Sequence, residues 1–274
     1  MNKQFLDQWA IILGGSSGFG LAAVEKLAAH GMNVAVLYRE AGAADRLLKE
    51  KYGRLAADAG VKIDGYNMNA LEPESRERFI QQFEARAARK HSVRLLLHSI
   101  ARGNLKPLVG AADADTGTPE ADADVLTVED IRFTTYAMST SLLDWARLLL
   151  KEGHFQPDAR IIGLTSEGAH KYWDGYAAVS IAKSTLESLV TYMAVELAKY
   201  GLKTNLIQAG ISATPSLKKI PDSDRLLELA TRRNPLGRTT KPEDVAGAIY
   251  LLCLDEASWI NGSIIPVDGG EHCR

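Results

Sequence analysis

Short apolar runs alternate with longer amphipathic stretches along almost the whole chain. The first run, Trp9–Leu13, is continuously apolar, which is typical of a strand covered on both faces. Apolar residues then recur at helical spacing up to His30-Gly31, where the pattern stops. Asn33–Tyr38 predicts a second strand. The chain therefore begins with a strand, a helix and a second strand.

This alternation continues to the end of the sequence. Further strands are predicted at 61–68, 93–97, 159–165, 203–208 and 263–267. The helices between them are predicted at 41–59, 73–90, 127–150, 176–200 and 242–254. Regular alternation of strand and helix predicts right-handed βαβ units and a parallel sheet. We therefore predict an α/β fold of one domain over 1–274, a doubly wound (Rossmann) seven-stranded parallel sheet flanked by helices.

Two stretches interrupt the pattern. Residues 107–126 are rich in Ala, Asp, Gly and Thr and have no apolar period. They form either a loop over a site or a solvated surface insertion. Residues 215–238 are predicted as loop and short helix, and we expect residues 211–238 to form a flap over the substrate.

The first strand is followed at once by a glycine-rich turn, Gly14-Gly15-Ser16-Ser17-Gly18-Phe19-Gly20. Glycines between a strand and a helix let backbone N–H groups approach a pyrophosphate at the helix N-terminus. Such a motif could be only a tight turn, but here the strand, the helix and the next strand are all present. We therefore predict dinucleotide binding.

Arg39 follows the second predicted strand, where a dinucleotide fold meets the adenosine ribose. A carboxylate there would bind a 2′-hydroxyl, whereas an arginine suits a 2′-phosphate. Arg39 therefore favours NADPH, with NADH as the alternative cofactor. Glu40 beside it leaves open that Arg39 is a solvated loop charge.

Tyr176 and Lys183 stand seven residues apart at the start of the predicted helix 176–200. This spacing is close to two helical turns, so both side chains point to one face. A phenol and an ammonium on one face suit a proton donor and its electrostatic helper. Without the glycine turn, a half-buried ring and a solvated amine would be the ordinary interpretation.

Composition narrows the class of protein without naming a reaction. The 274 residues carry a formal net charge of -2, which gives no reason to expect binding to nucleic acid or to a membrane surface. Cys253 and Cys273 form neither a disulfide framework nor a metal motif. No signal peptide and no run of about 18 apolar residues is seen. We expect a soluble cytoplasmic protein without a metal.

The chain resembles the short-chain dehydrogenase/reductase family over nearly its full length. The glycine turn, the Tyr176/Lys183 pair and the closing Val267-Asp268-Gly269-Gly270 carry this resemblance. A threonine usually ends the first strand in that family, and here the residue is Leu13. The resemblance implies an oxidoreductase that uses a nicotinamide dinucleotide.

Four departures from that family's usual pattern resemble one branch, the enoyl-acyl carrier protein reductases. The fourth strand ends in His98-Ser99-Ile100-Ala101 instead of Asn-Asn-Ala-Gly. Six residues, not three, separate Tyr176 from Lys183. Ala209-Gly210 replaces Pro-Gly, with Thr214 four residues on, and Ser139 stands nearest the position of the usual asparagine. Tyr172, four residues before Tyr176, is similar to the NADPH-linked type of enoyl reductase.

This resemblance implies NAD(P)H-dependent reduction of the trans-2 double bond of an enoyl thioester in fatty acid biosynthesis. Tyr176 would stabilise the enolate and Lys183 would bind the nicotinamide ribose, with Tyr172 and Ser139 completing the catalytic group. The cofactor contacts implied are Gly14, Ser16, Ser17, Gly18, Phe19, Gly20, Arg39, Asn69, Ser99, Ile100, Ala101, Lys183, Ala209, Gly210, Ile211 and Thr214. The alternatives are a short-chain ketoreductase or alcohol dehydrogenase and a dinucleotide sensor without activity.

The resemblance also implies partners. The substrate would be carried by acyl carrier protein or coenzyme A, with basic side chains meeting an acidic carrier; the candidates are Arg102, Lys106, Lys171, Lys218 and Lys219. Ile211, Leu217, Ile220 and Trp173 would surround the acyl chain. Apolar residues of the helices at about 128–152 and 177–200 predict a homodimer or homotetramer interface, unless they belong to the monomer core.

Overall fold

The structure is a computed structural model that describes residues 4–87, 90–113, 116–120 and 124–274. Seven strands form one parallel sheet in the order β3-β2-β1-β4-β5-β6-β7. The strands are β1 Trp9–Leu13, β2 Asn33–Tyr38, β3 Ile63–Asn67, β4 Val93–His98, β5 Phe155–Ser166, β6 Lys203–Ala209 and β7 Ile264–Val267. The order of the strands reverses between the neighbouring strands β1 and β4: β2 and β3 lie on one side of this pair, and β5, β6 and β7 lie on the other. The predicted doubly wound seven-stranded sheet is confirmed.

The described residues form eight α-helices. They are α1 Gly18–Ala29, α2 Gly42–Ala59, α3 Pro73–Ala87, α4 Val128–Thr135, α5 Ser141–Lys151, α6 Ala177–Glu196, α7 Ser223–Arg233 and α8 Pro242–Leu252. The sequence predicted one continuous helix over 127–150. The structure instead places a π-helical turn, Tyr136–Thr140, between α4 and α5. An extra residue in a turn rotates the side chains that follow it.

Each face of the sheet has its own apolar core. One face packs against α3, α5 and α6 through side chains such as Trp145 and Leu186. The other packs against α1 and α8 through side chains such as Val24 and Ile249. The indole N–H of Trp145 donates to the carbonyl of Ala70 at 2.9 Å, so this large side chain is buried without losing its hydrogen bond.

The apolar residues predicted for an oligomer interface lie in or against the monomer core. Leu142, Trp145, Leu149, Leu186, Val190, Met193 and Leu197 are buried, and Leu143, Leu148 and Leu189 pack against the same cluster. The seven buried residues cannot form such an interface because the monomer covers them, whereas Leu143, Leu148 and Leu189 are only partly buried. An oligomer remains a prediction without their support.

A cluster of charges lies at the amino ends of β4, β5 and β6, opposite the ends that carry the glycine turn. Arg94, Arg160 and Lys203 all pair with Asp158. The two arginines also donate to the carbonyls of Leu252 and Cys253, at the C-terminus of α8. Cations there complement the helix dipole and the unpaired carbonyls. These charges therefore hold α8 against the sheet.

The described parts of the 107–126 insertion form a small antiparallel turn. Ala112 bridges Pro119, and Asp113 N–H donates to the carbonyl of Thr118 at 2.8 Å. Lys106 at its start pairs with Asp124 and Asp130. Whether this insertion acts as a loop over the site stays a prediction. In the described part of the chain, no helix is long and apolar enough to cross a membrane.

Candidate active site

A cavity of about 850 Å³ opens at the carboxyl ends of β4, β5 and β6. In open parallel sheets this edge is where ligands bind. The cavity brings together the predicted residues Phe19, Ser99, Ile100, Ala101, Tyr172, Tyr176, Lys183, Ala209, Gly210, Ile211 and Thr214. The other predicted residues lie outside its lining: Gly14, Ser16, Ser17, Gly18, Gly20, Arg39, Asn69 and Ser139.

The glycine turn runs into the first turn of α1 and packs closely against neighbouring backbone. Gly14 has φ +88°, and a Cβ on it would lie 2.5 Å from the carbonyl oxygen of Ser99. A Cβ on Gly20 would overlap the carbonyl of Gly14. Ser17 caps α1 without a side-chain hydrogen bond to the first turn. The N–H groups of that turn are therefore not capped by its side chain, which fits a pyrophosphate.

Gly15 was not assigned a role from the sequence, although it lies inside the motif. A Cβ on it would overlap the side chain of Val36 on β2. Its carbonyl accepts a hydrogen bond of 2.9 Å from the buried Tyr52 hydroxyl. Gly15 thus fixes the turn against β2 and α2, which is a packing role.

Two arginines lie near each other beside the predicted adenosine end. Arg39 is exposed after β2. Burial and the nearby charge of Arg39 lower the pKa of Arg102, which follows β4. Two cations placed together repel each other, and a ligand phosphate would relieve that repulsion. Asn69 is partly engaged elsewhere, because its side-chain amide donates to Glu72 at 2.8 Å.

The loop after β6 is closely packed at Gly210. A Cβ there would lie 2.9 Å from Cβ of Asp268. Thr214, four residues on, lies next to Gly18, since a Cβ on Gly18 would be 3.4 Å from its methyl group. The β6 loop and the glycine turn therefore approach the same region from two sides.

Tyr176 and Lys183 lie at the start of α6 and both line the cavity; Lys183 is buried and Tyr176 is half-buried. Lys183 Nζ donates to the carbonyl of Leu164 at 2.6 Å. Burial lowers the pKa of Lys183 to about 8, against the opposing effect of Glu187. Burial raises the pKa of Tyr176, and a hydrogen bond with Ser166 opposes the rise. The sequence argument expected Lys183 to ease ionisation of Tyr176, but here the ammonium is directed to β5.

Ser166 is a site residue that the sequence analysis did not select. It ends β5, and its hydroxyl lies 3.5 Å from the Tyr176 hydroxyl. The signal was present, because Ser166 ends β5 at the same edge of the sheet as the selected residues that follow β4 and end β6. Gly168, two residues later, lies against the tyrosine ring: a Cβ there would be 2.6 Å from Tyr176 Cε1.

Tyr172 and Ser139 do not join this group. Tyr172 is 86% exposed and its hydroxyl donates to Asp174 at the rim of the cavity. Ser139 is fully buried in the π-helical turn, and its hydroxyl has no partner among the described residues. Neither hydroxyl has a hydrogen bond to Tyr176, so a catalytic role for either side chain stays a prediction.

His98 is buried between the sheet and the π-helical turn. Its Nε2 lies 2.9 Å from the hydroxyl of Ser141, and burial lowers its pKa to about 3. It does not line the cavity, so it is a packing residue and not a base. No three His, Cys, Asp or Glu side chains in the described part of the chain are grouped to hold a metal ion.

Residues 14–272 match the family model described as "Enoyl-(Acyl carrier protein) reductase". The chain belongs to this family. It is thus a short-chain dehydrogenase/reductase of the enoyl reductase branch and an oxidoreductase that uses a nicotinamide dinucleotide. The glycine turn and the arginine pair fit such a cofactor.

Known members and other relatives differ in how much of the chain they match. The NADH-dependent enoyl-[acyl-carrier-protein] reductase FabI of Aquifex aeolicus is 38% identical over 125 residues, 46% of this chain and 45% of that protein. The alignment therefore spans less than half of that enoyl reductase. A tropinone reductase homolog of Arabidopsis thaliana is 26% identical over 261 residues, 95% of this chain and 90% of that protein.

A solved structure shows the same fold. The enoyl-acyl carrier protein reductase of Bacillus cereus, with NADP+ and indole naphthyridinone, has a TM-score of 0.84 and 23% identity. The match covers 100% of this chain and 99% of that one. The family and the fold are thus shown, whereas the substrate has to be argued from the site.

Proposed function

We propose that the protein reduces the trans-2 double bond of an enoyl thioester with NADPH. The observation that carries this proposal is the position of Tyr176, which lines a largely apolar cavity beside the glycine turn. The apolar side includes Leu105, Val179, Leu217 and Ile220. An acyl chain would pack there, with its thioester oxygen at the hydroxyl.

The bound cofactor supplies the hydride that adds to the β-carbon. Negative charge then develops on the thioester oxygen, and the Tyr176 hydroxyl donates a hydrogen bond to it. Because the cavity wall is apolar, this hydrogen bond is stronger than it would be in water. Lys183 would hold the nicotinamide ribose hydroxyls, and protonation at the α-carbon completes the reduction.

A carbonyl-reducing enzyme needs a different arrangement. Its tyrosine gives a proton directly to the carbonyl oxygen, and an asparagine and the lysine hold a water relay behind it. Here Ser139 stands nearest to the position of that asparagine and is buried away from the cavity. The absence of an asparagine at this position and the six residues between Tyr176 and Lys183 favour enoyl reduction.

One observation favours the second candidate, a short-chain ketoreductase or alcohol dehydrogenase. The Ser166 hydroxyl lies 3.5 Å from Tyr176, and two hydroxyls together can bind a carbonyl oxygen. Oxidation of NADPH with crotonyl-thioester and acetoacetyl-thioester, side by side, separates the two. Faster turnover of the keto substrate would reject enoyl reduction. Cofactor binding without turnover of either would indicate a sensor.

The choice of NADPH rests on Arg39 and Arg102. The test is the Kd of NADPH and of NADH, measured by fluorescence, for the wild type and Arg39→Ala. We expect the variant to bind NADPH about 10-fold more weakly and NADH equally well, since only NADPH has the 2′-phosphate. Equal losses for both cofactors would remove Arg39 from 2′-phosphate recognition.

The carrier would be acyl carrier protein or coenzyme A, and the pathway fatty acid biosynthesis. Lys171 and Lys219 line the cavity, as expected for basic groups that meet an acidic carrier. Lys106 is less available because it pairs with Asp124 and Asp130. A homo-oligomer and a cytoplasmic location remain part of this proposal.

A further inference from the structure

Two consecutive residues of β5 each hold one charged side chain of α6. The carbonyl of Leu164 accepts the 2.6 Å hydrogen bond from Lys183 Nζ. The hydroxyl of the next residue, Thr165, donates to Glu187 Oε1 at 2.7 Å. Lys183 and Glu187 are four residues apart, so they lie one helical turn from each other on one face of α6. The end of β5 therefore fixes a lysine and a carboxylate on neighbouring turns of the helix.

Glu187 is held on its outer side as well. Its second carboxylate oxygen, Oε2, lies 2.7 Å from His170 Nε2. The side chain of Glu187 is 11% exposed, whereas that of His170 is 66% exposed. Both carboxylate oxygens therefore have a hydrogen-bond partner, and the carboxylate has a fixed place between the cavity wall and the solvent.

Lys183 depends on this carboxylate because it is buried. Burial disfavours the ammonium and lowers the pKa of Lys183 to about 8, whereas the negative charge of Glu187 raises it. His98 on β4 and Tyr176 at the N-cap of α6 are titratable neighbours of Lys183. Burial, and then the charge of Lys183, lower the pKa of His98 to about 3, and burial raises the pKa of Tyr176, so neither is charged at pH 7. Glu187 therefore supplies the negative charge that acts on Lys183.

Acidic groups elsewhere in the cavity lining have cations of their own. Glu167 pairs with Lys171 and Arg233, Glu271 pairs with Arg233, and Asp268 pairs with His272. The basic cavity residues Lys219 and Arg232 are exposed to solvent. The ends of β5 and β6 bring uncharged side chains to the cavity, such as Thr165 and Gln208. None of these groups replaces Glu187 as the counter-charge of Lys183.

We propose that Glu187 is a positioning residue that keeps Lys183 in its charged form, an inference that rests on the proposed role of Lys183 at the nicotinamide ribose. Glu187 does not line the cavity, so it acts on the cofactor through Lys183. In an apolar wall the ammonium needs a negative charge nearby to stay protonated. Only the protonated lysine donates to both ribose hydroxyls, and Thr165 and His170 keep the carboxylate in place for it.

The test measures the pKa of Lys183 directly. Nuclear magnetic resonance of protein labelled with carbon-13 at lysine Cε follows the ionisation of each lysine, and Lys183→Met identifies the signal of Lys183. We expect Glu187→Gln to lower the pKa of Lys183 by about one pH unit. The glutamine keeps an oxygen for the Thr165 hydroxyl and removes the charge. An unchanged pKa of Lys183 in this variant would overturn the proposal.

Cofactor binding should follow the same change. When only the charged lysine binds NADPH, a pKa that is lower by one unit weakens binding to Glu187→Gln about fivefold at pH 8 and less than about 1.5-fold at pH 6. Fluorescence titration measures the Kd at both pH values. A loss of equal size at pH 6 and pH 8 would indicate a packing defect and overturn the proposal.

Two control variants separate the charge from the hydrogen bonds. Glu196→Gln makes the same chemical change at an exposed position at the end of α6, and it should leave the pKa of Lys183 and the Kd of NADPH unaffected. His170→Gln disturbs the outer hydrogen bond and keeps the carboxylate, so the pKa of Lys183 should stay within about 0.3 of the wild-type value. A fall as large as that in Glu187→Gln, in either control, would assign the effect to something other than the charge of Glu187.

These measurements keep the inference separate from the proposed function, because neither the pKa of Lys183 nor the Kd of NADPH requires a substrate. If the wild type reduces no enoyl thioester while Glu187→Gln changes both quantities, enoyl reduction is rejected and the role of Glu187 stands. If the pKa of Lys183 does not change in Glu187→Gln, the role of Glu187 is rejected even where enoyl reduction is observed.

Discussion

The Ser166 hydroxyl lies 3.5 Å from the Tyr176 hydroxyl, and the two residues belong to the end of β5 and the N-cap of α6. Both hydroxyls face the same cavity. Ser166 lowers the pKa of Tyr176 against the larger effect of burial, so it favours phenolate character. A hydroxyl in this place stabilises negative charge on Tyr176 or on the substrate oxygen. In either case, removing the Ser166 hydroxyl should lower kcat.

Ser166→Ala should lower kcat for crotonyl-thioester about 5- to 50-fold, less than Tyr176→Phe, for which we expect about 10²- to 10⁴-fold. The serine assists the group that contacts substrate, whereas the tyrosine is that group. Steady-state kinetics with NADPH provide the measurement.

Tyr172→Phe is the matched control for Ser166→Ala, because its hydroxyl is exposed and donates to Asp174. We expect its kcat to remain within about twofold of wild type. A loss of 100-fold in Tyr172→Phe, with Ser166→Ala unaffected, would return the second catalytic hydroxyl to Tyr172.

The contrast between these residues shows what the sequence could predict. The glycine turn and the strand ends follow from local patterns, and the sheet follows from the alternation of apolar runs. The position of Tyr172 depends on distant contacts instead: the neighbouring Trp173 indole donates to the carbonyl of Pro221 at 3.1 Å. The orientation of Ser139 depends on the π-helical turn, for which the 3.6-residue period gives no signal.

Gly168→Ala should reduce kcat at least about 100-fold while the protein stays folded. The added methyl group would lie 2.6 Å from Tyr176 Cε1, so the ring has to move. A displacement of about 1 Å at a reacting group has effects of this size. The check is kcat together with the Tm and the Kd of NADPH.

The control for Gly168→Ala is Gly53→Ala in α2, where an added Cβ meets nothing within 4 Å. Alanine is the better helix former, so this variant should gain about 0.5–1 kcal/mol of stability and keep full activity. If Gly168→Ala also keeps full activity, the ring of Tyr176 is not fixed by Gly168.

Lys183 predicts a pH dependence of cofactor binding. Its pKa of about 8 means that the free enzyme carries the ammonium below pH 8 and loses it above. A charged ammonium binds ribose hydroxyls and attracts the phosphates, so the Kd of NADPH should rise as pH increases from 7 to 9. Fluorescence titration measures this change. Lys183→Met should bind more weakly at pH 7 and show a flatter profile; an equally steep profile in that variant would assign the titration to another group.

The buried His98 predicts that acid weakens the fold before most carboxylates titrate. Its pKa is lowered to about 3 by burial, whereas an unfolded histidine has its ordinary value near 6.5. Below pH 6.5 the unfolded chain therefore takes up a proton that the folded chain does not, and stability is lost progressively down to about pH 3. Between pH 7.5 and 5.5 this loss amounts to about 1.4 kcal/mol. Urea unfolding at both values measures it. The glutamine of His98→Gln can still hydrogen-bond Ser141 but does not titrate. The loss of stability between pH 7.5 and 5.5 should therefore be smaller in this variant by about 1.4 kcal/mol. An unchanged pH dependence in this variant would show that His98 does not stay neutral through this range.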